Sequence, residues 1–359
     1  MHSSSSQSIN RGHERSVASV LTTRSRSGSR RSRGRLANVD STLPQPEMAA
    51  AIDIGSYSVH LLVADVGAGE LRSRHDESAH LGLGRTIDAE GSLATALPGL
   101  LETIAAFAER ARRMGAETIT IAGTDPLRRA TDGAAVVDRI RDTTGLDVVA
   151  LSHEEEALLA LLGVQGGQPV EREMVMVDVG GGSTEILLAG PEREPIAVGL
   201  PLGAARLTGV HVDHDPPTAS EVGALSAEVA VAMLRAPDSD ASQLVAVGGT
   251  ARNLLRIGPP LPNRMLTQQQ IRLALDTMAF SPAATIAERH GVRVSRARVL
   301  VAGATILLGA LHRYGLDRLR VAEGGLREGM VLAAFHGGPA WRGELHSLTR
   351  GWRREVVGR

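Results

Sequence analysis

Two stretches of this chain share one layout, and that layout restricts the fold more than any other feature. In each, an apolar run ends in Asp-x-Gly, small residues follow, and a second apolar run leads away: Asp53-Ile-Gly-Ser-Tyr-Ser58 and Asp178-Val-Gly-Gly-Gly-Ser-Thr-Glu185. The apolar runs predict buried strands, joined in each copy by a tight turn. A single such turn is a common hairpin. Two copies favour two domains that clamp a phosphate chain between them.

The turn residues have the chemistry of an anion site. Consecutive glycines permit positive φ angles and close approach to a ligand, and successive N–H groups in such a turn face one concavity. The carboxylates of Asp178 and Glu185 lie at two strand ends, where they are placed to hold Mg²⁺ or an attacking water. The predicted phosphate-binding residues of the two turns are Gly55, Ser56, Ser58, Gly180, Gly181, Gly182, Ser183 and Thr184.

A third glycine turn, Val247-Gly-Gly-Thr250, follows an apolar strand and opens a helix at Ala251. A strand, a glycine turn and a helix N-terminus together are typical of a phosphate or nucleotide site. Gly248, Gly249 and Thr250 are therefore added to the predicted phosphate-binding residues.

Strands and helices alternate after each hairpin, which favours two α/β halves over one Rossmann sheet. Strands are predicted at 49–54, 59–64, 118–122, 148–151, 174–178, 184–189, 195–199, 244–248 and 318–322. Helices are predicted at 93–114, from 125, from 152 to about 162, and at 202–210, 219–235, 267–279, 299–314 and 326–335. The domains are placed at 48–157 and 158–340, between a tail at 1–47 and a tail at 341–359.

Two helix starts carry charged residues whose roles stay open on the residues alone. Asp125 before Pro126 predicts an N-cap, which puts Arg128 and Arg129 near a helix N-terminus, facing either solvent or an anion. Ser152 predicts the next N-cap. The acidic run 154–156 after it suits the helix dipole, and equally allows one Glu to serve as a base for water.

Composition excludes several classes of function. The net charge is −1 and aromatic residues make up 2%, so neither a basic field nor stacking platforms favour nucleic acid. There is no Cys, which excludes disulfides and thiol chemistry and suits the cytoplasm. There is no Lys either, which excludes a Walker-type phosphate loop. The longest apolar run, 299–311, is too short to span a bilayer, so no membrane partner is expected.

The first 47 residues are rich in Ser and Arg and lack apolar periodicity, so we expect them to be disordered. They predict either a nucleic-acid or polyanion tether or a targeting segment, or a stretch that precedes a true start at Met48. The second interpretation is favoured, because the first strand begins directly after Met48.

The chain resembles the exopolyphosphatase/guanosine pentaphosphate phosphohydrolase family of the actin-like superfamily, in a short two-domain form. Matching segments run in order along the chain: both Asp-x-Gly hairpins, Leu127-Arg-Arg-Ala130, Glu155-Glu-Ala157, Leu200-Pro-Leu-Gly-Ala-Ala-Arg-Leu207, Gly248-Gly-Thr-Ala251, Gly303-Ala-Thr-Ile-Leu307 and Gly325-Leu-Arg-Glu-Gly329. Together they cover nearly all of the chain from Ala49 to about Leu332.

The resemblance implies two ribonuclease-H-like domains with a Mg²⁺-bearing cleft between them. It implies Glu156 as the catalytic base, Glu185 beside the attacking water, and Arg128 as a phosphate contact. It also implies Asp178 as a Mg²⁺ ligand, and we expect Asp53, which opens the first hairpin, as a second one. A homodimer is a family-level expectation.

The implied reaction is Mg²⁺-assisted release of terminal phosphate from linear polyphosphate by water. The same site suits guanosine pentaphosphate, an actin-like ATPase or kinase, or a non-catalytic sensor of polyphosphate or alarmone. Departures from the family pattern are Tyr57 for Asn, Arg298 for an acidic residue, Ala302 for Pro, and Ala322-Glu323 for Ser-Asp. They bear on substrate choice more than on activity.

Overall fold

The computed structural model describes residues 47–67, 70–258 and 262–352. All of the described residues belong to one compact unit. The predicted tail at 1–47 lies outside the described residues, except that Glu47 is the first residue of a strand.

The described chain contains two sheets whose strands follow the same order, apart from one additional edge strand in the second sheet. The strands are β1 (Glu47–Ile54), β2 (Ser58–Gly67), β3 (Glu70–His80), β4 (Thr118–Gly123), β5 (Val148–Ala150), β6 (Met174–Val179), β7 (Thr184–Gly190), β8 (Arg193–Leu200), β9 (Leu244–Val247), β10 (Met265–Thr267) and β11 (Arg318–Val321). Their orders are β3-β2-β1-β4-β5 and β10-β11-β9-β6-β7-β8. In each sheet an antiparallel meander of three strands continues into two parallel strands. The predicted fold, two ribonuclease-H-like α/β sheets, is confirmed.

All nine predicted strands are present, with ends that shift by at most three residues. Two further strands were not predicted, for different reasons. β3 is an edge strand in which most side chains are charged or polar, so it lacks a buried apolar face. β10 has three residues, too few to show a period.

Thirteen α-helices lie outside the sheets in the described chain. They are α1 (Leu83–Glu90), α2 (Leu97–Arg113), α3 (Asp125–Arg129), α4 (Gly133–Thr144), α5 (His153–Gln165), α6 (Ala204–His211), α7 (Ala219–Met233), α8 (Gly248–Ile257), α9 (Gln268–Ala279), α10 (Ala283–His290), α11 (Val294–Arg313), α12 (Leu326–Gly337) and α13 (Trp341–Thr349). Every predicted helix is present, and α1, α4, α10 and α13 are additional. The N-cap of α3 is Thr124, so the prediction of Asp125 was wrong by one residue.

Helix α13 corrects the predicted C-terminal tail at 341–359. Trp341 and Leu345 on this helix are buried and belong to the same apolar cluster as α5 and α12. Residues 341–349 are thus part of the packed structure, whereas residues 353–359 lie outside the described chain. The domain boundary at 157/158 stays a prediction.

Helices α5 and α12 share an apolar cluster with residues of both sheets. The two helices approach closely because glycines lie at the contact. A Cβ on Gly163 would overlap the carbonyl oxygen of Gly325, and one on Gly329 would overlap that of Leu159. Since both neighbours are backbone atoms, no rotamer change relieves the overlap. The spacing of the two helices, and of the sheets that pack on them, therefore depends on these glycines.

Among the described helices, α11 is long and apolar enough to cross a bilayer by length and composition. In the fold, 72% of its apolar stretch is buried. Helices α6, α7 and α9 pack against it, as expected for a core helix.

Replacing Gly329 by Ala is expected to destabilise the protein by about 1–3 kcal/mol, because the methyl group meets the α5 backbone. Urea unfolding of the full chain measures the change. The control is Gly343→Ala on α13, where a Cβ meets nothing within 4 Å. That variant is expected to be neutral or about 0.5–1 kcal/mol more stable. Equal stability of the Gly329 variant and wild type would contradict the close-contact interpretation.

Candidate active site

A cavity of about 140 Å³ lies where the three glycine turns meet. Both Asp-x-Gly hairpins contribute to its wall, and so do the start of α8 and the start of α12. The lining residues that were predicted as site residues are Asp53, Gly55, Ser56, Ser58, Glu156, Asp178, Gly180, Gly181, Gly182, Ser183, Gly248 and Gly249.

The two hairpin turns touch each other directly. A Cβ on Gly181 would lie 2.9 Å from Cβ of Tyr57, and one on Gly182 would overlap the carboxylate of Asp125. None of the glycines 180–182 has a positive φ, so the prediction of left-handed backbone was wrong. Glycine is required here because the first turn and the start of α3 leave no room for a side chain.

The second turn is held so that its amides stay available. The carbonyl oxygens of Gly180 and Gly181 accept hydrogen bonds of 2.9–3.0 Å from the first N–H groups of α6, at Ala204 and Ala205. Within the described chain, the N–H groups of Gly181 and Gly182 have no acceptor. Consecutive free amides on a cavity wall form an anion-binding nest.

The third turn needs glycine for a different reason. Gly248 has φ +88°, and a Cβ there would lie 2.6 Å from Oδ1 of Asp178. Only a residue without a Cβ combines this backbone angle with close contact to the carboxylate. The turn thereby brings the N-terminus of α8 to the cavity, which favours bound anions.

Two predicted phosphate contacts are corrected. The hydroxyl of Thr184 donates to the carbonyl oxygen of Leu202, and that of Thr250 donates to the carbonyl oxygen of Val179. Both side chains are buried, and neither lines the cavity. Their hydroxyls satisfy backbone acceptors behind the turns instead of facing a ligand.

Asp53 and Asp178 lie on the wall of the same cavity, one from each hairpin. Burial raises the pKa of Asp53 to about 7, partly opposed by Arg327 and assisted by Asp178. Burial likewise raises the pKa of Asp178 to about 6. Oδ1 of Asp53 is buried without a hydrogen-bond partner in the described structure. Two buried carboxylates, one with an unsatisfied oxygen, are a suitable donor set for Mg²⁺, which prefers oxygen ligands.

Glu156 lines the same cavity and belongs to a cluster centred on Arg128. Nη1 of Arg128 donates to Oε2 of Glu156 at 2.8 Å and to the carbonyl oxygen of Leu151 at 2.8 Å. Nη2 of Arg128 lies 3.8 Å from Oε1 of Glu185 and 3.4 Å from Oγ of Ser183. One guanidinium therefore connects both predicted catalytic carboxylates to the phosphate turn.

The start of α5 explains why only Glu156 among the three glutamates faces the site. Ser152 and Glu155 form a capping box with hydrogen bonds of 2.8 and 3.1 Å, and Glu154 is exposed. Glu156 comes one residue later and is 8% exposed. Burial, and then the charge of Glu185, raises its pKa well above the usual value. Burial and Asp178 raise the pKa of Glu185 as well. Such carboxyls are poised to take a proton near neutral pH.

His153, Glu156 and Glu185 also bring three ligand atoms within 4.8 Å of one another, a spacing that suits a metal ion. The guanidinium of Arg128 contacts all three residues. A fixed positive charge at this point opposes a cation, so the pair Asp53 and Asp178 fits Mg²⁺ better.

Several cavity residues were not singled out from the sequence. Arg296 lies over the ring of Tyr57, with 4.2 Å between the guanidinium carbon and the ring centroid. His60 lies opposite Asp53 in the strand register, and burial lowers its pKa to about 3. Arg327 pairs with Asp76 at 2.6 Å, and Arg252 reaches the cavity from α8. The sequence offered a signal for two of these residues. Arg252 directly follows the Gly248-Gly-Thr-Ala251 motif, and Arg327 lies within Gly325-Leu-Arg-Glu-Gly329.

The fold and the cavity define a two-sheet α/β protein with a carboxylate-lined cavity bounded by three glycine turns. Residues 62–336 match the model of the Ppx/GppA phosphatase family, which is more than half of the chain. The chain belongs to this family.

Similar proteins support the assignment. Exopolyphosphatase 1 of Mycobacterium tuberculosis is 31% identical over 298 residues, covering 78% of this chain and 86% of that protein. Guanosine-5'-triphosphate,3'-diphosphate pyrophosphatase of Vibrio atlanticus is 26% identical, covering 80% of this chain and 59% of that protein. The crystal structure of the Aquifex aeolicus Ppx/GppA family member has a TM-score of 0.69 at 28% identity, covering 81% of this chain and 98% of that one.

Replacing Asp53 by Asn is expected to alter the pH dependence of stability in EDTA. A carboxyl with a raised folded pKa stabilises the fold at low pH, and this stabilisation is lost as the pH rises through about 7. The Asn variant lacks that loss, so its stability relative to wild type should increase by about 2–3 kcal/mol between pH 5 and pH 8. Urea unfolding at each pH measures it. The exposed Asp142→Asn variant serves as control, and a Asp53→Asn profile parallel to that of wild type would contradict the assignment.

Proposed function

We propose that this chain is an exopolyphosphatase that releases orthophosphate from the end of linear polyphosphate. The observation that carries the proposal is the pairing of Arg128 with Glu156 beside the free amides of the second turn. A terminal phosphoryl group held on those amides would lie next to a buried carboxyl of raised pKa. The relative named exopolyphosphatase 1 supports this choice of substrate.

The reaction we propose is direct attack by water. Glu156 takes a proton from the water, the water oxygen bonds to the terminal phosphorus, and the bridging P–O bond breaks. The leaving oxygen carries the electron pair of that bond on the shortened chain. Arg128 and the amides of Gly181 and Gly182 would stabilise charge on the equatorial oxygens, the main requirement of phosphoryl transfer.

Asp53 and Asp178 are the residues that would hold Mg²⁺. When bound, this ion would neutralise charge on the phosphate oxygens. The unsatisfied oxygen of Asp53 and the raised pKa values of both carboxyls support this placement. The cytoplasm and a homodimer remain our expectations for location and assembly.

Guanosine pentaphosphate is the second candidate substrate, which the Vibrio relative supports by its name. The same turns and base would act on its terminal phosphate. Near the first turn, the cavity wall includes the ring of Tyr57 and the guanidinium of Arg296. A nucleoside is one ligand for such a wall, and a more distant phosphate of polyphosphate is another.

Glu156→Gln is expected to lower kcat for phosphate release by about two to four orders of magnitude, because the amide cannot take the proton from water. The measurement is steady-state phosphate release by the full chain with Mg²⁺. Glu154→Gln, on the same helix turn but exposed, is the matched control and should retain wild-type turnover. Retention of wild-type kcat in Glu156→Gln would exclude Glu156 as the base.

Substrate choice is tested by offering linear polyphosphate, guanosine pentaphosphate and ATP to the full chain in separate assays. We expect the highest kcat/KM for polyphosphate. Turnover confined to guanosine pentaphosphate would place the protein in alarmone hydrolysis with the same catalytic groups. Binding of polyphosphate without turnover of any substrate would indicate a sensor.

A further inference from the structure

His153 is a polar contact of the site that the proposed reaction leaves without a role. It is the first residue of α5, three residues before Glu156. Its Nδ1 lies 2.8 Å from Oε1 of Glu185 and 3.1 Å from Nη2 of Arg128. The side chain is 41% exposed, whereas that of Glu185 is 1% exposed. One ring nitrogen thus contacts a buried carboxyl and the guanidinium that binds the other carboxyl.

The strand register explains how the ring reaches Glu185. Asp178 on β6 faces Glu185 on β7, and Glu185 faces Gly199 on β8. Residues that face each other across antiparallel strands point to the same side of the sheet, so these three form one row. Since Gly199 has no side chain, the third place in the row is open.

The imidazole of His153 fills that place. A Cβ built on Gly199 would overlap Cγ and Nδ1 of the His153 ring. Gly199 does not have a positive φ, so its backbone angles do not require glycine. In the described structure, glycine is required at position 199 because the His153 ring occupies the space that a side chain would need. His153 and Gly199, 46 positions apart in the sequence, act as one unit.

We propose that His153 is a positioning residue for phosphoanhydride hydrolysis at this site, and that Gly199 leaves the space that its ring occupies. Through Nδ1 it orients the carboxyl of Glu185 and limits the movement of Arg128, which in turn holds Glu156. The inference rests on the proposed function, because it deepens the role of the same site. It predicts that substitutions at positions 153 and 199 act on kcat through the same contact. Without that contact, neither catalysis nor stability would require the two positions to be coupled.

The kinetic test uses the full chain and whichever substrate wild type turns over. His153→Ala should lower kcat about 10- to 100-fold with a much smaller change in KM, because misplacement of catalytic groups acts on the transition state. His153→Asn should recover most of the loss, since its amide reaches the position of Nδ1. Gly199→Ala should match His153→Ala, because its methyl group displaces the ring.

The double variant His153→Ala/Gly199→Ala should be no slower than either single variant, since both changes remove the same contact. Gly209→Ala on α6, where a Cβ meets nothing within 4 Å, is the matched control and should keep wild-type kcat. Wild-type kcat in His153→Ala, or multiplied losses in the double variant, would overturn the proposal.

A measurement without substrate separates this proposal from the proposed function. The ¹⁵N resonance of His153 Nδ1, assigned by its loss in His153→Ala, should shift in Glu185→Gln and in Gly199→Ala but not in Gly209→Ala. If these shifts occur but the protein hydrolyses none of the three substrates, the contact between His153 and Glu185 is supported and the proposed hydrolysis is rejected. An unchanged resonance in Gly199→Ala would reject the contact itself.

Discussion

The site depends on a single guanidinium placed among buried carboxyls. Burying an ionised carboxylate is costly unless a counter-charge and hydrogen bonds accompany it. Arg128 provides both to Glu156, and it also lies near Glu185 and Ser183. Without Arg128, the buried carboxyls of Glu156 and Glu185 would lose the guanidinium that lies beside them. Glu156, the second glycine turn and the start of α5 are therefore organised by one side chain on the short helix α3.

The repeated sheet order shows how the two halves have taken different chemical roles. In the first sheet the register puts His60 opposite Asp53, whereas in the second it puts Glu185 opposite Asp178. Both rows begin with an aspartate on the cavity wall, so a metal between them would draw on each half. A carboxyl follows the aspartate only in the second row. The two halves are therefore alike in strand arrangement at the cavity, whereas the titratable side chains that follow the aspartate differ between them.

Much of this arrangement was predictable from the sequence, because short-range patterns encode it. The apolar runs around Asp53 and Asp178 predict the hairpins, and Ser152 as an N-cap predicts the start of α5. Long-range contacts could not be predicted in this way. The glycines of the second turn meet Tyr57 and Asp125 from distant segments. The hydroxyls of Thr184 and Thr250 turn to backbone acceptors that only the fold brings near.

Helix α5 joins the chemistry to the interior of the protein. Glu156 lies in its first turn, and Gly163, which contacts the backbone of the α12 start, lies two turns later, about 10 Å along the axis. A tilt of α5 at the glycine contact would move the end of the helix that carries Glu156. Turnover in this protein should therefore respond to packing changes deep between the sheets. Under the proposed reaction, packing residues such as Gly163 would limit turnover without contacting the substrate.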